Sequence, residues 1–205
     1  MGREKIVFLG GVPGVGKTSI AGAIAKKFDI DIMLSGDYLR EFMRPITNAD
    51  SGKLLDVSVY ETWKRFGAKT GENIIKGFEK QSESICSGIS ATIERAAKNG
   101  ENLIIESLYL NQALIDTLKK HGACAAYLYI SDFDTHAKRL NEREQYTHFS
   151  SPGGRLVTQL DVYKEIMNYS VNLSKNNNIK VFDNLDFKKT EEDVLKMVGA
   201  FYAAK

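Results

Sequence analysis

The 205-residue chain is 43% hydrophobic and 26% charged, enough apolar material for one domain to bury about 70% of the surface its unfolded form exposes, with no need of a disulfide or structural metal. Its 28 lysines and arginines against 26 aspartates and glutamates leave a net charge of +2, too balanced to select nucleic acid as a partner. Cys86 and Cys124 lie in no CxxC or Cys/His cluster, no apolar run approaches about 18 residues and the start has no signal-peptide plan, so a cytoplasmic protein without a membrane segment is expected, as a monomer or homodimer.

The apolar run Ile6-Val7-Phe8-Leu9 ends in glycines, and Ile20, Ala23, Ile24 and Phe28 then recur at helical spacing. This predicts strand, tight loop, helix. Between the two lies Gly11-Val12-Pro13-Gly14-Val15-Gly16-Lys17-Thr18, which satisfies G-x-x-x-x-G-K-[ST] in the context that motif requires. Glycines let the backbone wrap around phosphates with its N–H groups inward, and the helix N-terminus adds partial positive charge. Gly11, Gly14, Val15, Gly16, Lys17, Thr18 and Ser19 are therefore the expected nucleotide cradle, with Lys17 as a catalytic cation at the β and γ phosphates and Thr18 as a Mg²⁺ ligand. No Asn-Lys-x-Asp guanine-reading element occurs. ATP is the default nucleotide.

Ile32 to Ser35 reads as a second strand, followed by Asp37 where open α/β sheets place ligands. Its carboxylate could orient an acceptor hydroxyl, take its proton, hold a water of the Mg²⁺ shell, or cap the next helix. Arg40 and Arg44, one helical turn apart, could grip an anionic acceptor. About 60 residues then separate the second strand from the third, and they are helical in pattern. Leu55, Val59, Trp63 and Phe66 predict one helix, and Ile74, Phe78, Ile85, Ile89 and Ile93 predict a longer one. Residues 37–100 are read as a helical acceptor-binding insertion.

Asn102 to Glu106 predicts the third strand, closing on Glu106, which could hold Mg²⁺ through water, act as the base, or be a buried structural carboxylate. Ala125 to Ile130 and Lys180 to Phe182 predict the last two strands. His136, Arg139 and Arg143 lie on a helix entering a Gly, Ser and Pro-rich flap, residues 144–155, which Arg155 leaves. Arg139 and Arg143 could cancel charge on a transferred phosphoryl group, and Gly153 and Gly154 would give such a lid hinge freedom. Strands alternating with helices imply a single α/β domain over residues 1–205, a parallel sheet covered by helices on both faces.

Together these segments resemble a P-loop kinase of the nucleoside-monophosphate-kinase type, and Leu34-Ser35-Gly36-Asp37-Tyr38-Leu39-Arg40 is similar to the acceptor site of adenylate kinase. More of the chain resembles the kinase domain of archaeal 2-phosphoglycerate kinase. The likeness runs through the phosphate loop, Asp37 with Arg40-Glu41-x-Met43-Arg44, Tyr60-x-x-Trp63, Gly77-Phe78-Glu79-Lys80-Gln81, Ile93-Glu94-Arg95-Ala96 and Asp183-Asn184. It departs at Glu106-Ser107-Leu108-Tyr109, where that family has Glu-Gly-x-His. The resemblance implies a three-layer P-loop NTPase fold with strand order 2-3-1-4-5. It also implies γ-phosphoryl transfer from ATP to a small phosphorylated acceptor, 2-phosphoglycerate giving 2,3-bisphosphoglycerate; the alternatives are a kinase of nucleotides, nucleosides or other small alcohols, and a non-enzymatic ATP-dependent switch.

Overall fold

A computed structural model describes residues 4–47, 54–142 and 153–204. Strand β1 (Ile6–Gly10) is buried along its whole length, which explains its unbroken apolar composition, and it leads through the phosphate loop into helix α1 (Lys17–Phe28). Strand β2 (Ile32–Ser35) turns directly into α2 (Gly36–Met43), capped by Ser35, whose Oγ accepts from the Asp37 N–H at 3.3 Å. Helix α3 (Gly71–Asn99) begins at Thr70, whose hydroxyl accepts from the Asn73 N–H, and stops at Gly100 in the left-handed conformation. Then follow β3 (Leu103–Ser107), α4 (Gln112–Lys120), β4 (Cys124–Tyr129), α5 (Phe133–Glu142), the short α6 (Gly154–Val157), α7 (Leu160–Asn176), β5 (Lys180–Asp183) and α8 (Phe187–Ala203).

All strand pairs are parallel and the order is β2-β3-β1-β4-β5, as the resemblance implied. Helices α1 and α8 pack together, while α3 packs on α4 and α7. The core lies between these layers and the sheet, with Phe8, Leu9, Ile20, Ile85 and Ile105 almost fully buried. Burial raises the Cys86 thiol to about 12, so it serves as a small apolar core residue.

One expected helix takes another form. The positions of Leu55, Val59, Trp63 and Phe66 fit an α-helical stripe, but the chain forms a 3-10 helix over Val59–Arg65 that ends before Gly67 at φ 121°. Two local hydrogen bonds favour the tighter winding: Thr62 Oγ1 donates to Val59 O at 2.7 Å and Trp63 Nε1 to Tyr60 O at 2.9 Å. The same Thr62 lies against Gly77, where a Cβ would overlap its side chain. That glycine thus permits α3 to approach the 3-10 helix.

Candidate active site

Register fixes the geometry of the sheet's working edge. Glu106 pairs with Leu9 on one side and Ser35 on the other, so the phosphate loop, Asp37 and Glu106 emerge from the carboxyl ends of three adjacent strands. The loop's Gly14 and Gly16 have φ of 83° and 88°, a region that side chains disfavour, and a Cβ on Gly16 would also come within 2.7 Å of Asn184 Nδ2. No side chain caps α1. Its first N–H groups therefore face the loop and suit an anion.

Thr18 Oγ1 donates to Glu106 Oε1 at 3.0 Å, and Glu106 is only 8% exposed. A hydroxyl and a carboxylate are hard oxygen donors that fit Mg²⁺, which takes one or two protein ligands and completes its shell with water and phosphate. Among the described residues no group of three or more His, Cys, Asp or Glu forms a self-sufficient metal cage. Lys17 Nζ donates to Val12 O at 3.1 Å. His136, 3% exposed, places Nε2 at 2.8 Å from Pro13 O, so that nitrogen carries the proton; burial lowers its pKa, and Lys17 and Arg139 add to the effect. The Asn184 amide, fully buried, donates to Val15 O at 2.9 Å.

Beside the loop opens a cleft of about 510 Å³. Asp37 and Glu41 border it, Arg40 and Arg155 face it, and Val59, Leu108, Tyr109, Leu156 and Tyr163 supply apolar and aromatic walls. Because Ser35 is the cap of α2, the exposed Asp37 carboxylate is not committed to that role. Tyr109 is buried, stacks on Phe78 and donates to Gln81 Oε1 at 2.9 Å. Gln81 Nε2 in turn donates to Leu54 O and Val57 O. These contacts tie the insertion to α3 and explain the Gly77-Phe78-x-x-Gln81 string.

The two arginines of α2 are occupied within the protein. Arg40 Nη2 donates to Leu55 O at 2.7 Å and Val57 O at 3.0 Å, and Nη1 pairs with Glu41 at 2.8 Å. Arg44 pairs with the same Glu41 at 2.9 Å and lies outside the cleft lining. Arg139 Nη2 donates to Leu185 O at 2.9 Å, beside Asp183 and Asp186, at the β5 end of the sheet. Arg143 and residues 144–152 of the expected lid lie outside the described residues.

The profile of the family described as AAA domain matches residues 10–152. The chain is 46% identical over 193 residues to mevalonate-3-phosphate 5-kinase of Thermoplasma acidophilum, covering 94% of this chain and 95% of the relative. The chain belongs to this family of P-loop kinases. It is an ATP-dependent small-molecule kinase. A 2-phosphoglycerate kinase of Methanocaldococcus jannaschii is 28% identical over 199 residues, and there the kinase aligns with 97% of its own chain but spans only 64% of the relative. A solved structure of an uncharacterised protein from Eubacterium ventriosum shares the fold at a TM-score of 0.50 and 18% identity, over 97% of the kinase and 99% of that chain.

In this kinase Gly153 lies in a close contact at the edge of the expected lid. Its φ is −65°, accessible to any residue, but a Cβ would overlap the Leu140 carbonyl oxygen at the end of α5. Close approach is what the position requires. Gly153→Ala is expected to lower stability by about 1 to 3 kcal/mol through this overpacking, read from the urea midpoint of unfolding. An unchanged midpoint would contradict the contact.

Proposed function

We propose that the kinase transfers the γ-phosphoryl group of ATP to the 5-hydroxyl of mevalonate 3-phosphate, giving mevalonate 3,5-bisphosphate. The likeness at 46% over nearly the full length of both chains carries this reading. The chemistry of the cleft supports it. Mevalonate 3-phosphate bears a methyl group and a phosphate on one fully substituted carbon, between a carboxylate arm and a hydroxyethyl arm. Val59, Leu108 and Leu156 suit the methyl and methylene groups, while Arg155 suits an anionic group.

Each site residue then has a role. Asp37 accepts the hydroxyl proton and orients the oxygen for attack, and Lys17 meets charge that grows on the transferring phosphoryl group. Thr18 and Glu106 would hold Mg²⁺, which would neutralise phosphate charge. Arg40 fixes the cleft wall through Leu55 and Val57, and Arg155 meets the acceptor's anion. Arg139 and Arg143 would cancel charge on the transferred phosphoryl group, and residues 37–100 and 144–155 are the acceptor insertion and lid of a single kinase domain. 2-Phosphoglycerate, implied by the shared sequence strings, is the second reading. It lacks the methyl group, and Ser107 and Tyr109 stand where the 2-phosphoglycerate kinase string has glycine and histidine.

An acceptor panel with ADP release as readout tests the choice. Mevalonate 3-phosphate is expected to exceed 2-phosphoglycerate in kcat/KM by at least about 100-fold, since a misfitting acceptor leaves both apolar and charged groups unmatched. Equal or better use of 2-phosphoglycerate would overturn the assignment. Arg155→Ala should raise the acceptor KM roughly 10 to 100-fold with the ATP KM nearly unchanged, as expected for one lost charge-assisted contact. Arg40→Ala should instead lower stability by about 1.5 to 3 kcal/mol, because two main-chain carbonyls lose a charged donor. If Arg40→Ala leaves the melting temperature unchanged and Arg155→Ala leaves the acceptor KM unchanged, the division of labour is wrong.

A further inference from the structure

Three carbonyls of the phosphate loop accept side-chain hydrogen bonds, from three different parts of the chain. Val12 O accepts from Lys17 Nζ, Pro13 O from His136 Nε2 on α5, and Val15 O from Asn184 Nδ2 just beyond β5. A trans peptide is planar, with its C=O and N–H pointing in opposite directions. Fixing a carbonyl on one side therefore fixes the following N–H on the other. The Pro13 carbonyl shares its plane with the Gly14 N–H, and the Val15 carbonyl with the Gly16 N–H. Val12 is followed by proline, so that peptide has no N–H to aim. The lysine contact differs from the other two in this respect.

Packing brings the same elements against the loop. A Cβ on Gly14 would meet Leu140 Cδ2 at 2.7 Å and His136 Cδ2 at 3.3 Å, both on α5, and one on Gly16 would lie 2.7 Å from Asn184 Nδ2. His136 and Asn184 are nine-tenths or more buried, at 3% and 0% exposure. Asn184 is itself anchored by its N–H to Tyr129 O at 2.8 Å, and α5 by the Asp132 carboxylate accepting from the Thr135 N–H at 2.7 Å. Left- and right-handed peptide orientations in a glycine-rich loop differ little in intrinsic energy. An unbraced loop would populate flipped peptides that turn a carbonyl toward the phosphates.

We propose that His136 and Asn184 are positioning residues for phosphoryl transfer, each locking one peptide of the phosphate loop so that the Gly14 and Gly16 N–H groups face the nucleotide. His136 acts on the first and Asn184 on the second. The inference concerns ATP and is independent of the acceptor's identity. It also gives Asn184, distant in sequence from the loop, a mechanical part in nucleotide binding.

The test pairs volume-keeping variants that lack the donor with one that keeps it. His136→Met and Asn184→Leu should each raise the ATP KM and weaken MgADP binding, measured by calorimetry, by roughly tenfold for one lost buried hydrogen bond, leaving the acceptor KM unchanged. His136→Gln should recover most of the loss. Glycine-selective ¹⁵N NMR supplies the signature that a general structural role would not give. On adding MgADP to the wild type, the Gly14 and Gly16 amide protons should both move downfield. His136→Met should diminish the Gly14 shift alone, and Asn184→Leu the Gly16 shift alone. Wild-type-like MgADP affinity in both variants, or loss of both shifts in each, would overturn the proposal. Should an apolar variant fail to fold, the wild type and His136→Gln decide: absence of the two downfield shifts, or a Gln variant no tighter than about a tenth of wild type, would equally overturn it.

Discussion

Lys17→Ala is expected to reduce kcat by at least about 1000-fold while the thermal unfolding transition stays close to that of the wild type. Lys17 begins α1, and its ammonium reaches back to the Val12 carbonyl at the mouth of the loop. The side chain adds little to the core, since it is only partly buried. On the proposed function its charge would meet the negative charge that accumulates on the transferring group. Single-turnover rates with and without the lysine, alongside melting curves, check both halves of the expectation. A variant keeping more than about a tenth of wild-type turnover would show that the lysine has no part in the transition state.

Asp37→Asn should lower kcat by roughly 100 to 10,000-fold with only a modest change in the acceptor KM. An amide can still contact a hydroxyl, so ground-state binding survives, but it cannot take the proton as the oxygen attacks. The capping arrangement makes this substitution clean. Ser35, and not Asp37, caps α2 with its side chain, so the asparagine variant should fold as the wild type does. Ser35→Ala is the matching control. It should cost about 1 kcal/mol of stability while retaining most turnover. If Asp37→Asn raises KM and leaves kcat unchanged, the carboxylate binds acceptor without serving as its base.

Much of this architecture was legible in the sequence because it depends on short-range pattern. Apolar runs broken by helical spacing gave the five strands, and the G-x-x-x-x-G-K-[ST] string located the loop between the first strand and helix. The strand-end rule then placed Asp37 and Glu106 beside it. What the sequence hid depends on contacts between distant residues. His136 meets Pro13 across 123 positions and Asn184 meets Val15 across 169, and neither residue carries a local signature of that partnership. Arg40 looked like a free clamp because its spacing from Arg44 is helical, yet Leu55 and Val57 carbonyls come within reach only once the insertion folds back over α2. The stripe through Leu55, Val59, Trp63 and Phe66 was misread for a different reason. Steps of three and four suit an α-helix, but only Val59 and Trp63 fall inside the seven-residue 3-10 helix, whose tighter winding goes with the local hydrogen bonds of Thr62 and Trp63.

The acceptor's identity rests on where the new phosphate is attached, and phosphorus NMR of the product reads this directly. With ATP, Mg²⁺ and mevalonate 3-phosphate, the account predicts a second phosphomonoester signal split into a triplet by two adjacent methylene protons, beside the original signal from the fully substituted carbon, which has no such neighbours. The result that would contradict it is the absence of that triplet under conditions in which the same enzyme converts 2-phosphoglycerate to 2,3-bisphosphoglycerate.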